Sequence, residues 1–175
     1  SCRQSVLKQS HELPTFNQIE RMAKAGIMTG MQPAFIPAFI GQENMELYEM
    51  LLGKERLKRV HPYRTILDSG IPICGGSDSP VTPYDPLAGI QAAVNHPNAD
   101  QRITLQEALE MFTKTAAWSA FEEKEKGTIG PGKLADLVVL SDDPFAVDTH
   151  KVADIRIEQV FIGGQPQLSE ANGDN

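Results

Sequence analysis

The ten residues Ile71-Pro72-Ile73-Cys74-Gly75-Gly76-Ser77-Asp78-Ser79-Pro80 restrict the possible folds more than any other part of the chain. A short apolar run, of the kind that forms a buried strand, ends abruptly in two glycines. One carboxylate, Asp78, is then held just past the carboxyl end of that strand. In α/β folds this is where strands deliver their chemistry.

The flanking sequence supplies helices on both sides of that strand. Thr15-Phe16-Asn17-Gln18 forms a capping box, Ile19, Met22 and Ala23 follow at helical spacing, and Gly26 is a natural stop. This predicts a helix over about 15–25, followed by a strand over 27–33 that ends in a proline. Residues 34–41 read as an apolar loop and residues 42 to about 59 as one helix. A helical turn over Tyr63–Leu67 leads to the strand at 70–75. Asp85 followed by Pro86 reads as an N-cap with proline in the first helical position, ahead of Leu87, Ile90 and Val94. Thr104-Leu105-Gln106-Glu107 is a second capping box, opening a helix that runs through Trp118. Alternating helices and strands favour a parallel sheet with crossover helices.

The pattern changes after Phe121. Gly127, Gly130, Pro131 and Gly132 are turn residues. Residues 134–140 and 155–164 are strand segments rich in branched side chains, and a polar tail follows. This predicts a small β module. Two confident parallel strands, 27–32 and 70–75, cannot close a sheet, and about three further strands are few for a sandwich. Each half therefore reads as the end of something larger. Unpaired edges of that kind predict self-association, as a homo-oligomer or otherwise.

Composition narrows the function. The chain has 175 residues, 41% hydrophobic and 22% charged, with a formal net charge of −7. That describes a globular protein and argues against a nucleic-acid partner, which needs a basic surface. The run Lys54, Arg56, Lys58, Arg59 reads as a solvated helix face. No apolar run reaches membrane-spanning length, so no membrane role is expected. Cys2 and Cys74 have no ligand spacing, and Cys74 reads as a small core residue. Such sparse cysteine fits a reducing, cytoplasmic setting.

The stretch GTIGPGKLADLVVL (127–140) resembles the C-terminal signature of the amidohydrolase superfamily. The helix from Thr104 to Phe121 is similar to the one that precedes it there. LDSGIPICGGSDSPVTPYDP resembles strand 8 and its loop in the amidohydrolase family 3 branch, which includes N-substituted formamide deformylase. ELPTFNQIERMAKAGIMTGMQPAFI resembles the end of strand 6, helix 6 and strand 7 of the same branch.

The resemblance implies an α/β fold: the C-terminal part of a (β/α)8 barrel, from the end of strand 6 through helix 8, over residues 1–123. Residues 124–175 would then form part of a small β-sandwich and a tail. It also implies a metal-dependent hydrolase of carbon–nitrogen bonds acting on a small amide-type substrate. In such enzymes a divalent metal, zinc in the first instance, activates a water. Asp78 matches the strand 8 aspartate that binds metal and accepts the proton of that water. The other ligands of the family pattern precede residue 1, so this chain alone is expected to be inactive and to bind no metal.

One departure stands out. When the segments are aligned on Leu13-Pro14, the strand 6 ligand histidine falls on Ser10, and His11 comes one position late. On a strand that shift points the side chain to the other face. His11 is thus a candidate ligand, with a surface-loop histidine the favoured reading. Gln32, which closes strand 7, and Arg64 are candidate substrate contacts, with helix-surface packing an equal reading for Arg64. Asp78 itself would read as an ordinary turn aspartate without the resemblance. His61, His96 and His150 read as structural or solvated, Asp136 as a turn residue and Trp118 as core. A non-catalytic assembly module, or a degenerate relative without a metal site, is the competing reading.

Overall fold

The computed structural model of the chain describes residues 7–9, 13–39 and 44–167. Its first layer is a parallel sheet in the order β1 (Leu7–Gln9), β2 (Met28–Met31), β3 (Ile73–Gly75). Thr29 of β2 stands opposite Lys8 on one side and Ile73 on the other. Every residue of β2 is buried, as expected of a central strand covered on both faces.

Local chemistry explains the elements between the strands. Helix α1 (Phe16–Lys24) starts at Thr15, whose side chain accepts from the Gln18 backbone N–H while Gln18 bonds back, and it buries Ile19 and Met22. The segment read as an apolar loop instead contains a short helix, α2 (Phe35–Phe39). Its first turn is closed by Phe35 and Ile36, whose N–H groups donate to the Gln32 and Pro33 carbonyls, both at 3.0 Å. Pro37 falls early in that helix, where a missing N–H costs little. The single helix expected over 42–59 is two, α3 (Met45–Leu52) and α4 (Lys54–Leu57). Gly53, at φ 74°, takes a conformation that only glycine adopts cheaply and so breaks the run. Helix α5 (Tyr63–Asp68) then leads into β3.

After β3, Asp85 caps α6 (Pro86–Val94) by accepting from the backbone N–H groups of Leu87 and Ala88. Thr104 and Glu107 form the second capping box, at the start of α7 (Leu105–Phe112). The helix expected through Trp118 breaks at Thr113, at φ −125° and ψ −88°, and resumes as α8 (Lys114–Ser119). Trp118 is half-buried, so it borders the core instead of filling it. Cys74 is likewise only half-buried.

The second layer is an antiparallel sheet of β4 (Leu137–Leu140), β5 (Ile157–Ile162) and β6 (Gln165–Pro166). Gly163 and Gly164, both at positive φ, make the two-residue turn between β5 and β6. Asp136 accepts from the Gly163 backbone N–H at 2.8 Å, so it braces that distant turn and not its own.

A 3-10 turn at Thr149–Asp154 fastens this sheet to α6. The Asn95 side chain donates to the Thr149 carbonyl (2.8 Å) and accepts from the Thr149 hydroxyl (2.9 Å). The Gln91 side chain accepts from the Ala153 N–H (2.9 Å). Val152 and Ile155 join Ile90 and Ala93 of α6 in the same buried cluster as Ile66 and Ile73. The β module is therefore packed into the core of the α/β layer.

Candidate active site

The carboxyl ends of β2 and β3 are held together beyond the sheet proper, because the Gly76 N–H donates to the Met31 carbonyl at 3.0 Å. The chain then turns sharply. Asp78 takes a left-handed conformation at φ 54°, which aspartate tolerates better than most residues. Its carbonyl accepts from the Val81 N–H at 2.9 Å, and the buried Thr82 hydroxyl donates to the Ser77 carbonyl. These two bonds close a tight loop that fixes the backbone of Asp78 while its side chain stays exposed to solvent.

Beside this loop lies a groove of about 170 Å³, between Ser77, Tyr84, Asp85 and Phe112. Phe112 is its aromatic wall. A Cβ on Gly75 or Gly89 would come within 2.5 Å and 2.8 Å of that ring, so the ring rests directly on bare backbone at both positions. This need for close approach is what the glycine of the Gly-Gly pair nearest the strand serves. Neither Phe112 nor Tyr84 stands out in the sequence as a site residue. The only signal was the place of Phe112 on the apolar face of the helix expected from Thr104 through Trp118.

The remaining candidates are dispersed. Gln32 directly follows β2 and is 5% exposed, its carbonyl engaged by α2. Arg64 is tied up in ion pairs. Its Nη1 donates to both Glu107 carboxylate oxygens at 2.9 Å, and its Nε donates to Asp68 at 2.8 Å. Burial works against ionisation of Glu107, but the bonds from Thr104 and the Arg64 guanidinium outweigh it and hold the carboxyl below the usual range. Arg64 does not line the groove and serves here to join α5 to the start of α7. His11 and Ser10 lie outside the described residues.

Among the described residues no three His, Cys, Asp or Glu side chains stand together as a metal site. Asp78 offers one carboxylate, so the described residues do not by themselves fit a metal ion. The buried histidines are elsewhere. His61 and His96 are each 3% exposed and flank Tyr63, with ring centroids 6.2 Å and 6.0 Å from it. His150 is exposed.

Comparison with known proteins identifies the family. The chain is 36% identical over 157 residues to YtcJ of Bacillus subtilis, a protein named as an amidohydrolase, covering 84% of this chain and 29% of that protein. It is 29% identical over 170 residues to the N-substituted formamide deformylase of Arthrobacter pascens, covering 91% of this chain and 30% of that enzyme. A crystal structure of an uncharacterized metal-dependent hydrolase from Pyrococcus furiosus superposes with a TM-score of 0.61 at 28% identity, over 74% of this chain and 26% of the other. The chain thus spans less than a third of the length of each of these three relatives. The model of the amidohydrolase family matches residues 3–167, nearly the whole sequence, and the chain belongs to that family, in its family 3 branch.

Proposed function

We propose that this chain is the C-terminal part of a metal-dependent amidohydrolase that hydrolyses a carbon–nitrogen bond of a small amide-type substrate. Residues 1–123 would be the last part of a (β/α)8 barrel, and residues 124–175 part of a small β-sandwich. The observation that carries this reading is the position of Asp78. A tightly closed loop holds it just beyond the carboxyl end of a parallel strand, in a chain that matches the family from residue 3 to residue 167.

In this reading Asp78 takes a proton from the attacking water at a carboxylate oxygen and returns it to the departing nitrogen. The closed loop orients the carboxylate, and its exposure leaves it open to groups from outside the described residues. A divalent metal, with zinc as first choice, would need those further groups.

The test is the full-length gene product carrying Asp78→Asn, assayed on a panel of N-substituted formamides and other amides. We expect hydrolysis by the parent and a loss of at least about 100-fold in kcat in the variant, with an unchanged circular-dichroism spectrum. Undiminished turnover by the variant would remove Asp78 from the chemistry. The lack of a three-residue metal cluster among the described residues favours one other reading, a non-catalytic assembly module. A parent that binds no metal and hydrolyses nothing would support that reading.

A further inference from the structure

We infer that the groove beside Asp78 is a subsite for a ring-sized apolar group on the substrate, and that it rejects an anionic one. The inference rests on the hydrolase reading for the word substrate, but not for the binding itself.

Size sets the first limit. The groove holds about 170 Å³, and a cavity of roughly 150 Å³ is enough for one benzene ring. Its walls set the second. Phe112 presents a ring face backed by the bare backbone of Gly75 and Gly89, so the wall cannot retreat in that direction. Tyr84 also lines the groove and is 84% exposed, an aromatic surface with little of its own to pack on. Ala34 and Pro86 add further apolar surface. Aromatic walls of this kind favour a flat apolar guest.

Charge sets the third limit. Among the described residues no lysine or arginine lines the groove. The amino terminus of α6 opens onto it and would ordinarily attract an anion. Asp85 already fills that role, accepting from Leu87 and Ala88 at 3.0 Å and 3.2 Å. An anionic guest would therefore meet the Asp85 carboxylate, with Asp78 three residues past Gly75 on the adjoining loop.

The experiment uses the full-length gene product and three fluorinated probes followed by 19F NMR: 4-fluorotoluene, 4-fluorobenzylamine and 4-fluorobenzoate. We expect 4-fluorotoluene to bind and 4-fluorobenzoate to bind at least about tenfold more weakly. Tyr84→Ala changes an exposed position and leaves the core intact, and it should weaken 4-fluorotoluene about fivefold. Asp85→Asn keeps a competent helix cap and should strengthen 4-fluorobenzoate by about threefold or more. Benzoate binding as tight as toluene, weaker binding of the amine than of benzoate, or indifference to Tyr84→Ala would each overturn the assignment. Probe binding requires no turnover. Toluene binding that depends on Tyr84, in a protein that hydrolyses no amide, would keep the subsite and discard the hydrolase reading. Amide hydrolysis without such binding would do the reverse.

Discussion

His61 shows how a single residue can tie stability to pH. It is 3% exposed, takes φ 49°, and stacks on Tyr63, which His96 meets edge-on. Burial, reinforced by the nearby His96, lowers its pKa from 6.5 to about 4. Burial lowers that of His96 as well, although the backbone of Asn98 and Val60 opposes the shift. The folded protein therefore keeps His61 neutral, whereas the unfolded chain takes up a proton near pH 6.5. The stabilisation is complete above pH 6.5, falls as pH drops through that value, and is gone below about pH 4. The gap corresponds to about 3 kcal/mol. His61→Asn, which suits the left-handed backbone and does not titrate, should flatten the fall in urea midpoint between pH 7 and pH 4. An unchanged acid limb would show that His61 does not govern it. The sequence suggested only a structural or solvated histidine, since nothing local to His61-Pro62 reveals which ring will be enclosed.

At the scale of elements, starts were easier to read than stops. Thr15, Asp85 and Thr104 cap the helices expected of them, because an N-cap bond reaches only two or three residues. The breaks at Gly53 and Thr113 were missed. Hydrophobic spacing continues across both, and only the packing of the flanking pieces shows where the axis must change. The expected boundary between residues 123 and 124 likewise gives no hint of the clamp formed by Gln91 and Asn95 on the turn at Thr149–Asp154. That clamp joins partners 54 and 62 residues apart in the sequence. Asn95→Ala should cost about 2 kcal/mol in urea unfolding, since it removes three half-buried hydrogen bonds at once, two of them to Thr149. A loss below about 0.5 kcal/mol would mean that the apolar contacts of Val152 and Ile155 carry the junction alone.

For the whole molecule, the antiparallel sheet matters most. None of its residues is fully buried, and Val138, Val139, Ile157 and Ile162 are all about half exposed. Strand β4 carries Val138 and Val139 on opposite faces, and it pairs Val138 with Val160 of β5, so branched side chains lie on both faces. Helix α3 adds the exposed Leu47, Met50 and Leu51. Apolar surface of this extent favours association. The 175-residue chain expressed alone should therefore scatter light as a species larger than a monomer and bind a hydrophobic dye. A monodisperse monomer that binds no dye would show that these faces are not adhesive.

By itself the sequence determined the alternation of helices and strands, the three capped helix starts, and Asp78 at the end of β3. All of these follow from interactions within a few residues, or from periodicity along one segment. The tertiary structure alone decided that Arg64 pairs with Glu107 away from the groove, that His61 and His96 are enclosed together around Tyr63, and that Phe112 rests on Gly75 and Gly89 beside Asp78. Each of these joins residues from separate elements, and which surfaces meet is fixed only when the shared core closes and excludes water.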